Sequence, residues 1–300
     1  MSELIKHECG VALLRLLKPL DFYLKKYGTS LYGLNKMYLL LEKQRNRGQD
    51  GVGVANVKLD AVVGKRYISR KRSVSTNPLQ DVFQQINKRF VELEKRDPEK
   101  LKNPKWMKEN LPFTGELFLG HLRYGTFGGN TIEQCHPFLR QNNWKTRNLA
   151  LAGNFNMTNV DELFQHLVDL GQHPKEIADT VTILEKIGHF LDEANDDIYY
   201  KHKKKYTKRE ITEKIESELD LQKILIQSAK YWDGGYVICG LLGHGDAFAL
   251  RDPNAIRPAY YYKDNEIVVV ASEKSVIQTA FNVNTNKVYE IKRGHALIIK

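Results

Sequence analysis

The sequence contains only three cysteines, Cys9, Cys135 and Cys239, and they lie far apart along the chain. An odd and scattered set of this kind does not indicate a disulfide framework, and its spacing does not match a zinc site. Unbridged cysteines are typical of a reducing compartment, where a thiol is free to act as a nucleophile. We therefore expect a cytoplasmic protein with no metal site on this chain.

Long apolar runs are missing as well. No segment has the roughly 18 consecutive apolar residues that a membrane span needs, and the mean hydropathy is −0.47. The first eight residues, MSELIKHE, are polar and lack the apolar core of a secretory signal. The sequence therefore predicts neither a membrane partner nor secretion.

Positive charge is in excess, with a formal net charge of +10. Much of it is concentrated in local clusters such as Lys201–Lys205 with Lys208 and Arg209. A run of this kind is usually a solvated surface, and few aromatic residues accompany it, whereas single-strand binding uses aromatic residues as stacking platforms. We therefore do not expect a nucleic-acid partner.

Strand-like and helix-like segments do not alternate regularly along the chain. Residues at helical spacing predict helices over 34–45, 79–93 and 176–191. Polar, helix-prone stretches at about 71–110 and 195–230 are interpreted as insertions. Apolar runs bounded by glycine, asparagine or aspartate predict strands at 10–14, 51–57, 115–122, 149–152, 236–242, 247–250 and 259–271. This order predicts an α+β layered sandwich rather than βαβ units.

Cys9 is a candidate nucleophile because of its place near the start of the chain. A thiol with the reference pKa of about 8.5 is only slightly ionised at pH 7 and needs a base. If cleavage after Glu8 made Cys9 the first residue, its own α-amine could be that base, with a pKa of roughly 7.7 to 8.0. On its own, Cys9 is more typical of a small buried residue at the start of a strand.

Four further polar side chains stand at the ends of predicted elements. Arg47 follows a predicted helix, Arg123 and Asn154 follow predicted strands, and Asp179 lies near the start of a later helix. Each alone is typical of a turn or a helix cap. Together with the thiol of Cys9, two arginines, an amide and a carboxylate could recognise a free amino acid.

Four segments resemble, in chain order, the motifs of class II (N-terminal nucleophile) glutamine amidotransferases. These segments are Cys9-Gly10, Arg47–Asp50, Gly120–Thr126 and Asn154–Asn159. The segments Arg251–Pro258 and Ala271–Glu273, together with Gln49, resemble the glutamine phosphoribosylpyrophosphate amidotransferase branch of that family. The resemblance runs from Cys9 to the end of the chain, apart from the two insertions.

The resemblance implies a catalytic group of three residues. Cys9 would attack the side-chain amide of glutamine after removal of a propeptide, residues 1–8. The side-chain amide of Asn154 and the backbone N–H of Phe155 would hold the oxyanion that forms.

The resemblance also implies a substrate pocket. Arg123 would bind the α-carboxylate of glutamine through a two-pronged contact, which lysine could not reproduce. Asp179 would pair with the α-ammonium group, and Arg47, Gly48 and Tyr124 would line the pocket.

At the level of the whole enzyme, the resemblance implies a four-layer αββα sandwich over 9–300 that releases ammonia from glutamine. That ammonia would feed amidophosphoribosyl transfer in purine biosynthesis. Neither the acidic pair nor the Thr/Gly-rich turn of a phosphoribosyl-pyrophosphate loop is found in the sequence, so the phosphoribosyltransferase domain is expected to be missing or on a separate chain. We expect phosphoribosyl pyrophosphate and magnesium only with that domain, no cofactor on this chain, and a homo-oligomer.

Three positions depart from the family pattern. Phe155 stands where glycine is usual, and a left-handed conformation there would be costly for phenylalanine. Asn46 and Gly153 replace histidines that usually precede Arg47 and Asn154. These changes indicate a divergent sub-branch without removing a catalytic atom.

Less specific interpretations stay open beside the resemblance. Arg251–Pro253 and Arg257 are more typical of a rigid turn than of a ligand site. His121, Cys135 and Cys239 are interpreted as core residues. The protein could also be another class II amidotransferase, a stand-alone glutaminase, or a non-catalytic binding protein with this fold.

Overall fold

The computed structural model describes residues 8–125, 131–174 and 176–300. In that part of the chain the strands are β1 (Gly10–Leu16), β2 (Gly51–Val57), β3 (Ile68–Ser73), β4 (Leu117–Arg123), β5 (Phe138–Arg140), β6 (Leu149–Met157), β7 (Gly234–Leu242), β8 (Ala247–Arg251), β9 (Tyr260–Lys263), β10 (Ile267–Ala271), β11 (Tyr289–Glu290) and β12 (Ala296–Ile299). The helices are α1 (Leu20–Tyr27), α2 (Tyr32–Lys43), α3 (Pro78–Arg96), α4 (Pro104–Asn110), α5 (Val160–Asp169), α6 (Asp179–His202), α7 (Lys208–Glu218), α8 (Leu221–Ala229) and α9 (Lys274–Phe281). Short 3-10 helices lie at Arg45–Arg47, Pro98–Lys102, Ile132–Gln134, Lys145–Arg147 and Thr285–Lys287.

The strands form two antiparallel sheets. One sheet has seven strands in the order β11-β9-β10-β1-β4-β2-β3, and the other has five in the order β12-β8-β7-β6-β5. The first strand in the sequence, β1, lies between β10 and β4, with Ala12 opposite both Ala271 and Gly120. Cys9 therefore enters the fold at the centre of the larger sheet.

Successive residues of β1 face opposite layers because side chains alternate along a strand. Val11 and Leu13 belong to a cluster between the two sheets, whereas Ala12 and Leu14 belong to a cluster under α2, α3 and α9. A third cluster packs α6, α7 and α8 onto the smaller sheet. The order of layers is helix, sheet, sheet, helix, and the predicted four-layer αββα sandwich is confirmed.

Helix α3 shows how the local pattern produces this packing. Most of its apolar residues lie at helical spacing on one face and are buried, whereas Val91, off that face, is 46% exposed. Proline occupies the first turn, where its missing N–H costs nothing. The buried set is Leu79, Val82, Phe83, Ile86, Phe90 and Leu93. The prediction of an amphipathic helix over 79–93 is confirmed.

Several elements differ from the sequence prediction, and α1, β5, α9 and β11 were not predicted at all. Helix α6 starts at Asp179 rather than at residue 176 and continues to His202; Ala178 is extended, and Ile177, placed on the apolar face by the pattern, is 62% exposed. The strand β3 was not predicted, because its sequence ISRKRS is charged. It is an edge strand, where charged residues are common because they oppose aggregation.

The segments 71–110 and 195–230 contain α3, α4, α7, α8 and the end of α6. Their interpretation as insertions stays a prediction. So does the interpretation of residues 1–8 as a propeptide, of which 1–7 lie outside the described residues. In the described part, no helix is both long and apolar enough to span a membrane.

Candidate functional site

Cys9 lies immediately before β1 and beside the end of β4. The register pairs Gly10 with Leu122, which brings Cys9 next to Arg123 and Tyr124. The backbone N–H of Tyr124 donates to Cys9 Sγ at 3.4 Å, and Sγ lies 3.8 Å from Tyr124 O. The thiol therefore has a hydrogen-bond donor aimed at it, which favours its ionised form.

Arg47 holds the main chain at Cys9. Its Nε donates to Cys9 O at 3.1 Å. The turn that carries Arg47 packs closely on the end of β4: a Cβ at Gly48 would lie 2.6 Å from the backbone of Arg123, and Asp50 N donates to Arg123 O at 3.0 Å. Glycine is required at 48 because of this close approach of two backbones.

The predicted carboxylate ligand, Arg123, is only 7% exposed, and its Nη2 donates to Gln134 Oε1 at 2.7 Å. Its charge acts on Cys9, where it favours the thiolate. The segment that follows is fixed by Asp50 Oδ2, which accepts from Gly125 N at 2.8 Å. Thr126, the last residue of the predicted motif, lies outside the described residues.

Asn154 and Phe155 reach the site from the other sheet, on β6. Asn154 is 4% exposed, and its Nδ2 points towards residue 8, whose carboxylate it meets at 3.2 Å. Phe155 pairs with Tyr236 in the sheet and is not among the described residues with positive φ. The expected strain at Phe155 is therefore absent, because the residue adopts an extended conformation.

Two buried histidines, with ring centroids 4.3 Å apart, contact the Gly153 backbone. His121 Nε2 lies 3.0 Å from Gly153 O, and Gly153 N donates to His136 Nδ1 at 3.3 Å. The His136 ring stacks on Phe155, with ring centroids 5.4 Å apart. Burial lowers the pKa of His121 to about 3 and the pKa of His136 well below its usual value, so both rings are neutral at pH 7.

The tautomer of His136 follows from its partners. Because Nδ1 accepts from a backbone N–H, the proton must be on Nε2, which donates to Thr180 Oγ1 at 3.1 Å. The Thr180 hydroxyl then donates to Asp179 Oδ1 at 3.4 Å, and Thr180 N donates to the same oxygen at 2.7 Å. His136 thus connects the strand of Asn154 with the carboxylate of Asp179.

Burial raises the pKa of the Asp179 carboxyl, and its hydrogen bonds to Thr180 oppose that rise. In the described part of the chain no cationic side chain forms an ion pair with it. A cationic group of a ligand placed there would favour the ionised carboxylate.

Residue 8 occupies the centre of the cluster. The Glu8 carboxylate forms ion pairs with Arg47, at 2.8 Å, and with Arg257, and it accepts the hydrogen bond from Asn154. In the chain that carries Glu8, the Glu8 carboxylate therefore occupies the hydrogen-bonding position on the Asn154 side-chain amide that is assigned to the oxyanion. Its Cys9 nitrogen is part of a peptide bond and is not a base.

The turn before β9 has two roles. Arg251 and Asp252 hold it together: Arg251 Nε donates to Arg257 O at 2.7 Å, and Asp252 accepts from Ile256 N at 3.0 Å. Arg257, by contrast, reaches Glu8. The rigid-turn interpretation fits Arg251 and Asp252, but Arg257 belongs to the site.

Glu8, His136 and Arg257 were not singled out as site residues from the sequence. A single histidine after a cysteine, or an arginine before a proline, carries no signal of which strand end it will approach. In the described part of the chain, no group of three or more His, Cys, Asp or Glu side chains is arranged to hold a metal ion.

The three cysteines should differ in reactivity. Burial raises the pKa of Cys9, but Tyr124 and three arginines oppose this rise, whereas burial raises the pKa of Cys135 to about 11 and of Cys239 to about 12. Only the thiolate reacts with iodoacetamide. We expect Cys9 alone to be alkylated in the folded protein at pH 8.5, and all three in denaturant, as measured by peptide mass spectrometry. Labelling of Cys135 or Cys239 before Cys9 would contradict this.

Two substitutions of His136 should distinguish the contribution of its hydrogen bonds to stability from the contribution of its ring packing. His136→Phe leaves the Gly153 N–H and the Thr180 hydroxyl without the hydrogen-bond partner that His136 provides. Each buried polar group left without a partner lowers the free energy of unfolding by about 1–3 kcal/mol. His136→Gln retains an acceptor and a donor, so at pH 7.5 it should be the more stable variant in urea denaturation. Equal stability of the two variants would show that the hydrogen bonds contribute nothing.

The same variants predict a pH dependence. The folded pKa of His136 lies below the unfolded value, so the unfolded chain binds the extra proton and stability is lost as pH falls below about 6.5. Wild type should therefore lose its advantage over His136→Gln by up to about 1.4 kcal/mol per pH unit between pH 6 and 5. Urea denaturation at each pH measures this difference, and a constant difference would refute a neutral His136.

The chain was compared with known proteins. No protein-family model matches it. It is 26% identical over 272 residues to the amidophosphoribosyltransferase of Pasteurella multocida, which covers 88% of this chain and 43% of that protein. It is 27% identical over 190 residues to that of Bacillus subtilis, which covers 62% of this chain and 32% of that protein. The chain thus spans less than half the length of these relatives.

Solved structures agree with the sequence comparison. The glutamine phosphoribosylpyrophosphate amidotransferase of Bacillus subtilis superimposes with a TM-score of 0.55 at 22% identity, over 97% of this chain and 47% of that one. A second structure, described as the allosteric regulatory enzyme of purine biosynthesis, gives 0.56 at 22% identity. The chain therefore has the fold of an N-terminal nucleophile hydrolase and is similar in sequence to the amidophosphoribosyltransferases.

Proposed function

We propose that the chain hydrolyses the side-chain amide of glutamine, with Cys9 as the nucleophile after removal of residues 1–8. The observation that carries this proposal is the arrangement around Cys9. A thiol with an N–H aimed at it lies beside Arg47 and Arg123, and the amide of Asn154 on the other sheet reaches the same place through Glu8. The start of β1, the 3-10 helix before β2, the end of β4 and the interior of β6 supply these groups. The similarity to amidophosphoribosyltransferases supports it.

The first step needs a base for the thiol. With residue 9 as the chain end, its α-amine has a pKa of roughly 7.7 to 8.0 and about one amine in eight is unprotonated at pH 7. That amine takes the thiol proton as Sγ attacks the amide carbon. Arg47, through its hydrogen bond to Cys9 O, keeps the chain end in place, and Tyr124 N–H stabilises the sulfur as it becomes negative.

The second requirement is a site for the oxyanion. Asn154 Nδ2 is aimed at the place where Glu8 Oε2 now sits, so removal of residue 8 frees a donor for the amide oxygen of the substrate. Phe155 N–H is assigned as the second donor. Ammonia leaves with the proton held by the α-amine, and water then hydrolyses the thioester to glutamate.

Recognition of the amino-acid end is assigned to two charges. Arg123 pairs with the α-carboxylate of glutamine. Asp179 pairs with the α-ammonium, and its raised pKa in the unliganded chain falls when that cation binds, because opposite charge favours the ionised form. The His136–Thr180 link holds Asp179 at a fixed position relative to Asn154.

The ammonia is proposed to displace pyrophosphate from phosphoribosyl pyrophosphate. We assign that step to a phosphoribosyltransferase domain, on a longer form of the chain or on a separate chain, together with any magnesium. The relatives carry the name of the whole reaction but are more than twice as long as the part that this chain matches. A homo-oligomer is part of the same proposal.

A chain end at Cys9 should be required for activity. A form that starts at Cys9, made by a site-specific protease cut, should release glutamate from glutamine, whereas the form that retains Glu8 should be slower by about 10²-fold or more, the typical contribution of a general base. Intact mass identifies each form, and Cys9→Ala in the first form is the control. Equal rates from a form whose mass includes residues 1–8 would refute the mechanism.

Asn154→Ala should lower kcat by about 10²- to 10³-fold with little change in KM, because the lost donor acts in the transition state. Asn156→Ala is a matched control, since Asn156 lies on the same strand but is exposed. Glutamate release by the form that starts at Cys9 gives both constants. If the two variants lose activity equally, Asn154 does not hold the oxyanion.

A further inference from the structure

A cleft of about 440 Å³ lies at the opposite end of β2 from Cys9. Gly51, at one end of β2, pairs with Arg123 of the candidate site, whereas Lys58, just beyond the other end, lines the cleft. A strand of this length separates its two ends by about 20 Å. The walls come from the loop after β2, from β3, from α3 and from the end of α4 with the residues that follow it. None of the described site residues lines the cleft, so the two are separate.

Cationic side chains dominate this surface, which we call the basic cleft. One carboxylate, that of Glu109, is also on its lining. Within the described residues, none of the six cations forms an ion pair. The six cations are Lys58, Lys65, Arg66, Arg70, Lys71 and Arg89.

Lys58 is the most buried of these cations. It is 4% exposed, and its Nζ donates to Lys108 O at 2.6 Å. Burial, followed by the charge of Lys108, lowers the pKa of its ammonium group to about 8. Holding this charge next to other cations costs free energy, which an anion in the cleft would offset.

Ser69 gives a second and independent observation. It is 4% exposed and lines the cleft, and its Oγ has no hydrogen-bond partner among the described residues. It lies two residues before Lys71 on β3, so the two side chains share a face of the sheet. Buried hydroxyl groups without partners are rare in proteins, because desolvation costs about 1–3 kcal/mol. A ligand oxygen at this position would satisfy it.

We propose that the basic cleft binds a small molecule that carries phosphate groups. Guanidinium groups of Arg66 and Arg89 suit the oxygens of a phosphate through paired hydrogen bonds, and the buried hydroxyl of Ser69 supplies a donor at the base. Arg70 lies on the other face of β3, where its Nη1 donates to Pro137 O at 3.2 Å. The other five cations against one carboxylate match more than one negative charge on the ligand. The volume lies within the roughly 300–1,000 Å³ of small-molecule sites.

Single-stranded nucleic acid fits this surface less well. Its binding uses exposed aromatic rings on which bases stack. The aromatic residue on the lining, Phe113, is 3% exposed and belongs to the core under α3 and α4. A cleft of this volume with a buried hydroxyl is instead typical of a site for a small ligand.

The test is calorimetric titration of the whole chain with inorganic tripolyphosphate, ATP and adenosine at 0.15 M salt. We expect saturable one-to-one binding of a phosphate compound and none of adenosine. Arg66→Ala/Arg89→Ala should weaken binding at least tenfold, and Ser69→Ala severalfold. Equal affinities for tripolyphosphate and ATP indicate that the phosphates alone are recognised, and preference for ATP indicates a phosphate on an organic carrier; both support the proposal.

The matched control is Lys203→Ala/Lys204→Ala, which removes the same charge from an exposed run. This variant and Cys9→Ser should bind as wild type does. Absence of saturable binding in wild type would overturn the proposal. So would equal weakening in the two double variants, or DNA retention that both of them reduce equally, because each result would indicate a general effect of positive charge.

Discussion

The close approach of the two sheets is the constraint on which the candidate site depends. Their facing surfaces carry small residues such as Ala55, Ala152 and Ala249, and small side chains let the two layers come together. As a result His121, on one sheet, reaches Gly153 O on the other at 3.0 Å. Asn154 follows Gly153 directly, so the same contact fixes the position of the Asn154 side-chain amide relative to the end of β4 and to Cys9.

Hydrogen bonds between buried, neutral groups also fix the geometry of the candidate site. The bonds from Gly153 through His136 and Thr180 to Asp179 each have one possible direction, because the first donor is a backbone N–H. A chain of this kind tolerates little displacement, since a shifted member leaves a buried group without its partner. The two halves of the proposed substrate pocket are thereby held by one network, although they lie on different elements.

The cationic side chains at the two ends of the larger sheet differ in their ion-pair partners. Around Cys9, Arg47 and Arg257 share the Glu8 carboxylate, and Arg47 also lies 3.5 Å from Glu273. In the basic cleft none of the described cations forms an ion pair with a carboxylate. The lysine-rich run is different again, because Lys201 pairs with Glu218 on the protein surface. The basic cleft thus brings together cations that form no ion pair among the described residues, and the sequence did not indicate this.

The sequence by itself determined most strands, the amphipathic helix α3 and the identities of Cys9, Arg47 and Arg123 as polar groups at element ends, because periodicity and turn residues are local properties. It placed Asn154 after a strand, whereas Asn154 lies inside β6. It did not predict β3, whose charges suit an edge position that exists only once the sheet is formed. Nor did it place Glu8, His136 and Arg257 at the site, or Ser69 in the cleft. Their neighbours are distant in sequence, up to 249 residues for Glu8 and Arg257, so only the packing of the sheets decides which groups meet.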